Sequence, residues 1–361
     1  MVRFIHTADI HIGMRFEDAS FKGRLSAVRR REIKDTFHRI VKRAGETRAH
    51  LLLIAGDLFE DGYISVGELK EIKAAFSDIP DTRVIIVPGN HDPYIKDSMY
   101  ELADFGSNVH VVKDPYEKIA FDDLNTDIYA LGWDRPYIEN DDLIDITISD
   151  RSRKNILLVH GDIYSRNTRY RPLDMAAIQQ KGFDYTALGH IHRHDFLTPD
   201  IVYPGSPEPL DFGETGPHGI IEGEISKEGT KAVFIPFSSR NFHVSKLWLE
   251  PEMTKKDILD AARRLGDGKH LYRLIFEGSY DRDVDFDIQE ITKELEDDFY
   301  YLEILDHAVP ELDIERIYEE NRTNIIGGFI EEMRRKDIND PVIREAFQTG
   351  LLQLIKSRGD I

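Results

Sequence analysis

The chain of 361 residues contains no cysteine. That absence excludes a disulfide-stapled fold, a zinc–thiolate site, an iron–sulfur cluster and a cysteine nucleophile. No apolar run approaches the roughly 20 residues of a membrane-spanning helix; the longest, Leu51–Ala55, is strand-sized. The opening ten residues have one early arginine but neither a long apolar core nor a small-residue cleavage site. They read as a first strand rather than a signal peptide, and the expected location is cytoplasmic, away from membranes. Internal repeats and low-complexity tracts are missing as well. Positive charge is short: 47 Lys and Arg against 67 Asp and Glu leave a net charge of −20. On bulk charge this excludes a general nucleic-acid coat protein and a basic membrane-surface binder. What remains, 41% hydrophobic and 32% charged, is ordinary for a soluble globular protein of about two domains.

Residues 1–240 alternate β-branched runs with helical patterns, which argues for an α/β domain. Strands are expected at Val2–Thr7, His50–Ala55 and Arg83–Val87, with helices at Leu25–Thr47 and Val66–Ser77. Further strands are expected at Asp127–Leu131, Asn155–Val159, Asp184–Leu188, Ile201–Tyr203, Gly219–Ile225 and Lys231–Ile235. The last of these have few helices between them, so part of the sheet system is expected to be antiparallel. Two packed sheets flanked by helices fit better than one doubly wound sheet. A break near Pro236–Asn241 precedes a small α+β unit, 241–310, that reads strand, helix, strand, helix, strand. The tail, 311–361, is helical. Ile314, Ile317 and Tyr318, then Ile325, Ile326, Phe329 and Met333, fall at helical spacing, and Pro341 starts a last helix, Val342–Lys356.

Five short motifs sit where expected strands end: Asp9-Ile-His11, Gly56-Asp57-Leu-Phe-Glu60, Gly89-Asn90-His91-Asp92, His160-Gly161-Asp162 and Gly189-His190-Ile-His192. In an α/β fold the carboxyl ends of the strands share one edge, where sites assemble. The motifs bring two carboxylates, Asp9 and Asp57, one amide, Asn90, and four imidazoles, His11, His160, His190 and His192. Divalent metals accept such a mixed oxygen and nitrogen set. Seven donors exceed the needs of one ion. Two ions about 3.5–4 Å apart, bridged by a carboxylate, would use them all and would clamp a phosphate. The reaction class that follows is metal-assisted hydrolysis of a phosphoester.

The set D-x-H, G-D, G-N-H-D, H-G and G-H-x-H resembles the calcineurin-like metallophosphoesterases, in the family's order, across the first 240 residues. The resemblance implies that Asp9, His11, Asp57 and His192 hold one metal, and that Asp57, Asn90, His160 and His190 hold the other. It implies Mn2+, with Mg2+ or another divalent ion as alternatives. It places His91 at the scissile phosphate as a donor to the leaving oxygen, oriented by Asp92. His6-Thr-Ala-Asp-Ile-His-Ile-Gly13 resembles the opening of the SbcD nucleases, which share a family with the Mre-eleven DNA repair nuclease. Tyr203-Pro-Gly-Ser-Pro-Glu-Pro-Leu-Asp-Phe-Gly-Glu214 resembles the segment that closes their phosphoesterase domain, and Gly213–Gly219 looks most like the YhaO-like bacterial members. The resemblance further implies a capping domain, an SbcC-type SMC-like ATPase partner gripped through C-terminal helices, and a homodimer. Where several members carry a histidine after G-D-x-F, this chain has Glu60, so no direct catalytic role passes to that residue.

The tract Tyr164-Ser-Arg166-Asn-Thr-Arg169-Tyr170-Arg171 follows the His160 motif. Arg166, Arg169, Tyr170 and Arg171 are candidates to track a DNA backbone and stack on bases, against a plain solvated loop. The helix cluster Arg24, Arg29, Arg30, Arg31 and Lys34 is a second candidate, against an exposed helix face. His6 and His194 neighbour the motifs without matching a ligand position, and are expected to support the ligands or to lie on the surface. Three readings stay open. The first is a DNA repair nuclease acting at the nucleoid, an exonuclease, with endonuclease activity left open by the sequence. The second is a phosphatase or phosphodiesterase for a small molecule or phosphoprotein. The third is a scaffold that has lost activity. The acidity is unevenly placed: residues 1–50 carry 12 basic and 6 acidic residues, whereas 281–320 carry 3 and 16. The first domain can therefore still offer DNA a locally positive face.

Overall fold

A strand that is apolar on both faces needs a layer on each side to cover it, and the first two-thirds of this chain supplies such layers. The structure is a computed structural model describing residues 1–16, 24–139, 146–281, 284, 286–337 and 340–357. It divides into two compact units. One comprises Met1–Val244, Gly266–Arg273 and Asp297–Glu303; the other comprises Ser245–Leu265, Leu274–Glu296 and Ile304–Ile361.

The strands of residues 1–240 are β1 (Val2–Thr7), β2 (Leu51–Ala55), β3 (Arg83–Val87), β4 (Val109–Val111), β5 (Glu117–Phe121), β6 (Thr126–Leu131), β7 (Lys154–His160), β8 (Tyr185–Gly189), β9 (Asp195–Thr198), β10 (Ile201–Tyr203), β11 (Gly219–Ser226) and β12 (Gly229–Pro236). They form two mixed six-stranded sheets, ordered β12-β11-β1-β2-β3-β4 and β5-β6-β7-β8-β10-β9. In the first sheet β1 to β4 run parallel, while β11 and β12 add antiparallel strands. In the second, β6, β7, β8 and β10 are parallel, and β5 and β9 are antiparallel edges.

Side chains alternate between layers with the period of two that a strand imposes. Leu51, Leu53 and Ala55 of β2 join Ile156 and Leu158 of β7 in a core between the sheets. Leu52 and Ile54 point the other way, packing with Ile33, Phe37 and Ile40 of helix α1 (Arg24–Glu46) and with Ile72 and Phe76 of α2 (Val66–Ser77). Leu157 and Val159 of β7 meet Ile178 beyond the second sheet. The two-sheet, helix-flanked α/β sandwich expected from the sequence is therefore the architecture found. The reading of the sequence omits β4, β5 and β9, together with the short helices α3 (Met99–Leu102) and α4 (Met175–Lys181).

Register places the motifs. Ala55 pairs with Val87, and Thr7 with Ile54, so β1, β2 and β3 finish level. His160 pairs with Gly189 in the second sheet. Every donor-bearing loop thus leaves its sheet at a parallel strand's carboxyl end.

Beyond this, β13 (Phe242–Leu249), β14 (Leu271–Tyr280) and β15 (Tyr301–Asp306) form a third sheet, with β16 (Val309–Pro310) paired to β14. The helices α5 (Lys255–Arg263), α6 (Ile288–Leu295), α7 (Ile314–Asn321), α8 (Ile325–Met333) and α9 (Pro341–Ser357) follow the expected order. Within the tail, Ile317, Ile326, Ile330, Phe347, Leu351 and Ile355 form one core. Ile325, counted with the apolar stripe from its spacing, instead lies 72% exposed at the first position of α8.

Candidate metal centre and active site

The donors stand on loops bent in a way that favours function over backbone comfort. Asp9, His11 and Asp57 have φ near +53°, and His190 has φ of +100°. L-residues rarely adopt this region, and such strain persists where surrounding structure over-determines it. Here neighbouring loops pin it: the Asp9 N–H donates to Gly56 O, and the Ile10 and His11 N–H groups both donate to Asp57 O. Gly56 itself has φ of +90°, and a Cβ there would fall 2.2 Å from His160 Nδ1.

The loops bring all seven sequence-predicted donors together. Asp9, His11 and His192 form one group of atoms within 4.8 Å of one another, and Asp9, Asp57 and His160 form another. His160 Nε2 lies 2.9 Å from Asn90 Oδ1, and His190 Nδ1 lies 3.2 Å from the same oxygen. Asp9, His11, Asp57 and His160 are all buried.

The hydrogen bonds behind these rings decide what the rings offer. His11 Nδ1 donates to Glu60 Oε1 at 2.7 Å, and His192 Nδ1 donates to Glu214 Oε1 at 2.6 Å. Their Nε2 atoms then face each other at 3.2 Å. His160 Nδ1 donates to Ala55 O at 2.9 Å, leaving its Nε2 lone pair against the Asn90 carbonyl oxygen. Lone pairs at that distance repel unless a cation lies between them, a proton or a metal ion; in the metal-free site burial is outweighed by Glu214 and Asp9, which raise the His192 pKa to about 9, so a proton takes that place. A carboxylate or carbonyl holding the far ring nitrogen is also the usual support of a metal-ligating histidine. The donor set therefore fits divalent metal ions, and groups that could hold them are present.

Electrostatics agrees. Burial alone would push the Asp57 carboxyl up, but His160, His11 and His91 around it hold it well below the usual carboxylate range. Burial pushes Asp9 up. His190 is driven down to about 3 by burial and by the neighbouring His160, so it presents a neutral ring.

His91 differs from the donors in being open to solvent, its side chain 45% exposed. Its Nδ1 donates to Glu60 Oε2 at 2.9 Å, and this bond, with Asp57 nearby, raises its pKa to about 9. One buried carboxylate thus grips two imidazoles, His11 through one oxygen and His91 through the other. Burial opposes the charge on Glu60, but the two histidines bring its pKa down to about 2.

This corrects two expectations. The group that orients His91 is Glu60, not Asp92. The Asp92 carboxylate instead accepts from the N–H groups of Leu58 (2.7 Å), Gly89 (2.6 Å), Asp57 (3.2 Å) and Phe59 (3.3 Å), and from the Tyr100 hydroxyl (2.7 Å). It ties the β2 and β3 loops together. Glu60, given no direct role, lies inside the site; its signal was its place within the Gly56–Glu60 motif. Glu214 was missed as a site residue although it closes the segment quoted for the subfamily.

The arginine tract separates likewise. Arg166 is exposed beside Asp174 at 3.4 Å. Arg169 lies over Tyr137 and Tyr170, and Tyr170 packs on the His190 ring at 5.2 Å. Arg171 is fully buried, donating to Leu131 O and Gly132 O. It braces the loop from inside and does not belong to a DNA-facing surface. Arg29 of the helix cluster is buried too, paired with Glu208 at 3.2 Å. His6 lies buried behind the site, and His194 stacks on Phe234.

The chain is similar to several known proteins. Uncharacterized metallophosphoesterase YhaO of Bacillus subtilis is 25% identical over 370 residues, spanning 93% of this chain and 88% of that one. The DNA double-strand break repair protein Mre11 of Methanocaldococcus jannaschii is 27% identical over 262 residues, 68% of this chain and 65% of its own length. Mre11 of Methanopyrus kandleri is 24% identical over 240 residues, 59% and 50%. The match to the archaeal proteins therefore stops short of two-thirds of their length. Residues 2–194, which carry all five motifs, match the calcineurin-like phosphoesterase family. With that match, the sandwich and the clustered donors in place, the chain belongs to the calcineurin-like phosphoesterases and is a metal-dependent phosphoester hydrolase.

Proposed function

We propose that the chain is a DNA repair nuclease, an exonuclease whose endonuclease capacity the same site would serve. The observation that carries the reading is a complete seven-donor cluster with a cationic, solvent-open His91 beside it. The names of the archaeal relatives favour DNA over other phosphoesters. Asp9, His11, Asp57 and His192 would hold one ion, and Asp57, Asn90, His160 and His190 the other, with manganese expected. When bound, two such ions clamp a phosphate and supply a water of lowered pKa. Glu60 keeps His91 charged and aimed, and His91 donates its Nε2 proton to the departing oxygen. Tyr170, with Arg169 over it, borders the His190 side, and these two with the exposed Arg166 of the same loop suit a phosphate backbone. Residues 1–240 are read as the nuclease domain, 241–310 as a cap, and 311–361 as the segment that meets an SbcC-type SMC-like ATPase at the nucleoid. A homodimer completes the expected assembly.

The test is hydrolysis of linear and circular DNA, single- and double-stranded, by manganese-loaded protein, with cyclic nucleotides and a phosphopeptide run alongside. His91→Ala is expected to lower DNA cleavage by roughly 10²–10⁴-fold while bound metal is retained. Turnover of the small substrates with no DNA cleaved, with or without an ATPase partner, would sink the nuclease reading in favour of a small-molecule or phosphoprotein phosphoesterase.

A further inference from the structure

The donors of the metal centre follow the carboxyl ends of β1 and β2; the amino ends of the same strands hold a second polar site. A cleft of about 410 Å3 opens there, where α1 turns into β2 and α2 turns into β3. Arg3, Arg48 and His50 line it, as do Asp78 and Asp81.

The cleft is supplied with donors rather than acceptors. The Arg3 Nε is buried and has no hydrogen-bond partner. His50 Nδ1 accepts from the Arg3 backbone N–H at 3.0 Å, so the ring carries its proton on Nε2. Burial and the Arg3 charge lower the His50 pKa, which keeps that ring neutral. Among the described residues no carboxylate pairs with Arg3 or Arg48. The carbonyls at the two helix ends are already taken. Arg43 O, Ala44 O and Gly45 O accept from the N–H groups of Thr47, Ala49 and Arg48. Phe76 O and Ile79 O accept from Ile79 and Thr82 N–H and also from the Asn108 amide. Arg48 itself has φ of +49° at the left-handed position closing α1, where glycine is the ordinary occupant. A side chain there costs the backbone something, and its guanidinium calls for a partner. A buried donor left unpaired is where a bound anion or water belongs.

We propose that this cleft binds a small phosphomonoester that also carries hydroxyl groups, a mononucleotide or a sugar phosphate, with its phosphate held by Arg3, Arg48 and the His50 Nε2–H. Two guanidiniums from separate segments match a dianion better than a monoanionic carboxylate. The volume suits a molecule of that size. Asp78 and Asp81 are exposed, and the charges acting most on His50 are cationic, Arg3 foremost, so the aspartates stand further out. A nucleic-acid strand crossing the cleft would run its phosphates past both carboxylates. A single inserted phosphate avoids them and leaves sugar hydroxyls to donate to them. The site is separate from the metal centre and does not depend on the nuclease reading.

The experiment is titration calorimetry of the full-length protein, with manganese and again after chelation. The probes are adenosine monophosphate, ribose 5-phosphate, inorganic phosphate, unphosphorylated ribose and an oligothymidylate. One phosphomonoester is expected to bind per chain in the absence of metal, inorganic phosphate more weakly, and ribose not at all. The tighter of the nucleotide and the sugar phosphate names the source. Arg3→Gln and the exposed Arg48→Gln should each weaken the phosphomonoester about tenfold or more with melting temperature unchanged. Binding that needs manganese, or that both variants leave intact, puts the phosphate at the metal centre and overturns the proposal. Tighter binding of the oligothymidylate, lost in both variants, overturns it in favour of a nucleic-acid surface. Failure of every phosphomonoester to bind overturns it outright.

Discussion

Glu60 shows how much a single carboxylate can decide. Its two oxygens fix the tautomer of His11 and the orientation of His91 at once. Glu60→Gln keeps the shape but can accept through only one atom. It is expected to lower metal affinity by roughly 10–100-fold, read by titration calorimetry, and to lower hydrolysis at saturating metal as well. His6 carries a second consequence. Its Nε2–H donates to Leu188 O and its Nδ1 accepts from the Tyr185 hydroxyl, and burial lowers its pKa from 6.5 to about 3 against the pull of the Leu188 carbonyl. The unfolded chain protonates this ring near pH 6.5 while the folded one does not. Its contribution to stability is therefore intact above pH 6.5 and drains as pH falls from 6.5 toward 3, by up to about 1.4 kcal/mol per pH unit. His6→Gln retains one donor and one acceptor, and should flatten the dependence of urea-unfolding stability on pH across that window. The seven donors were legible in the sequence because each stands beside a glycine or a second donor at the end of an apolar run. The roles of Glu60 and Glu214 were not, although both stand in quoted segments, because contact with His11, His91 and His192 rather than spacing gives them those roles. Asp92 was misassigned because adjacency in the chain suggested contact with His91, whereas the turn at Gly89–Asp92 aims the carboxylate back at backbone amides.

At the scale of the element, the strand ends are where local and global demands meet. Gly56 closes β2 with a left-handed φ and leaves His160 its space. Gly56→Ala adds a Cβ 2.2 Å from the His160 ring and strains the turn, with an expected cost of about 1–3 kcal/mol in denaturant unfolding and loss of metal-dependent hydrolysis. The long elements were readable for the same reason that they are stable. Strands β1, β2, β3, β7 and β8 are buried on both faces, which leaves uninterrupted apolar runs. Helix α2 begins at Ser65, whose hydroxyl and the Glu68 carboxylate cap each other's backbone N–H. The elements missed are short or half-exposed. Strand β5 opens on two charged residues and alternates half-buried with exposed positions at a sheet edge, and β4 has three residues. Pairing with a neighbour, which no local pattern reports, is what makes them strands.

Across the whole molecule, net charge and site charge pull in different directions. The chain carries −20, yet the donor cluster is built from several imidazoles and few carboxylates, with Asp9, Asp57 and Asp92 buried. Burying acids close together is costly, and divalent ions offset the cost. Melting temperature is therefore expected to fall on chelation and to climb with added manganese, by the equivalent of about 2.7 kcal/mol at a hundredfold excess over the dissociation constant; a melting temperature indifferent to chelator would contradict this. The left-handed backbone at Asp9, His11, Asp57 and His190 bears on how such a protein would decay. A lineage freed from selection for hydrolysis would gain stability by exchanging these four for glycine or asparagine, and drift would find them first. Asp92 and Gly56, which the loops need in order to fold, would outlast them. An inactive descendant would be known by what it kept: Gly56 and Asp92 still holding the loops together, beside strand ends from which the metal-binding aspartates and histidines had gone.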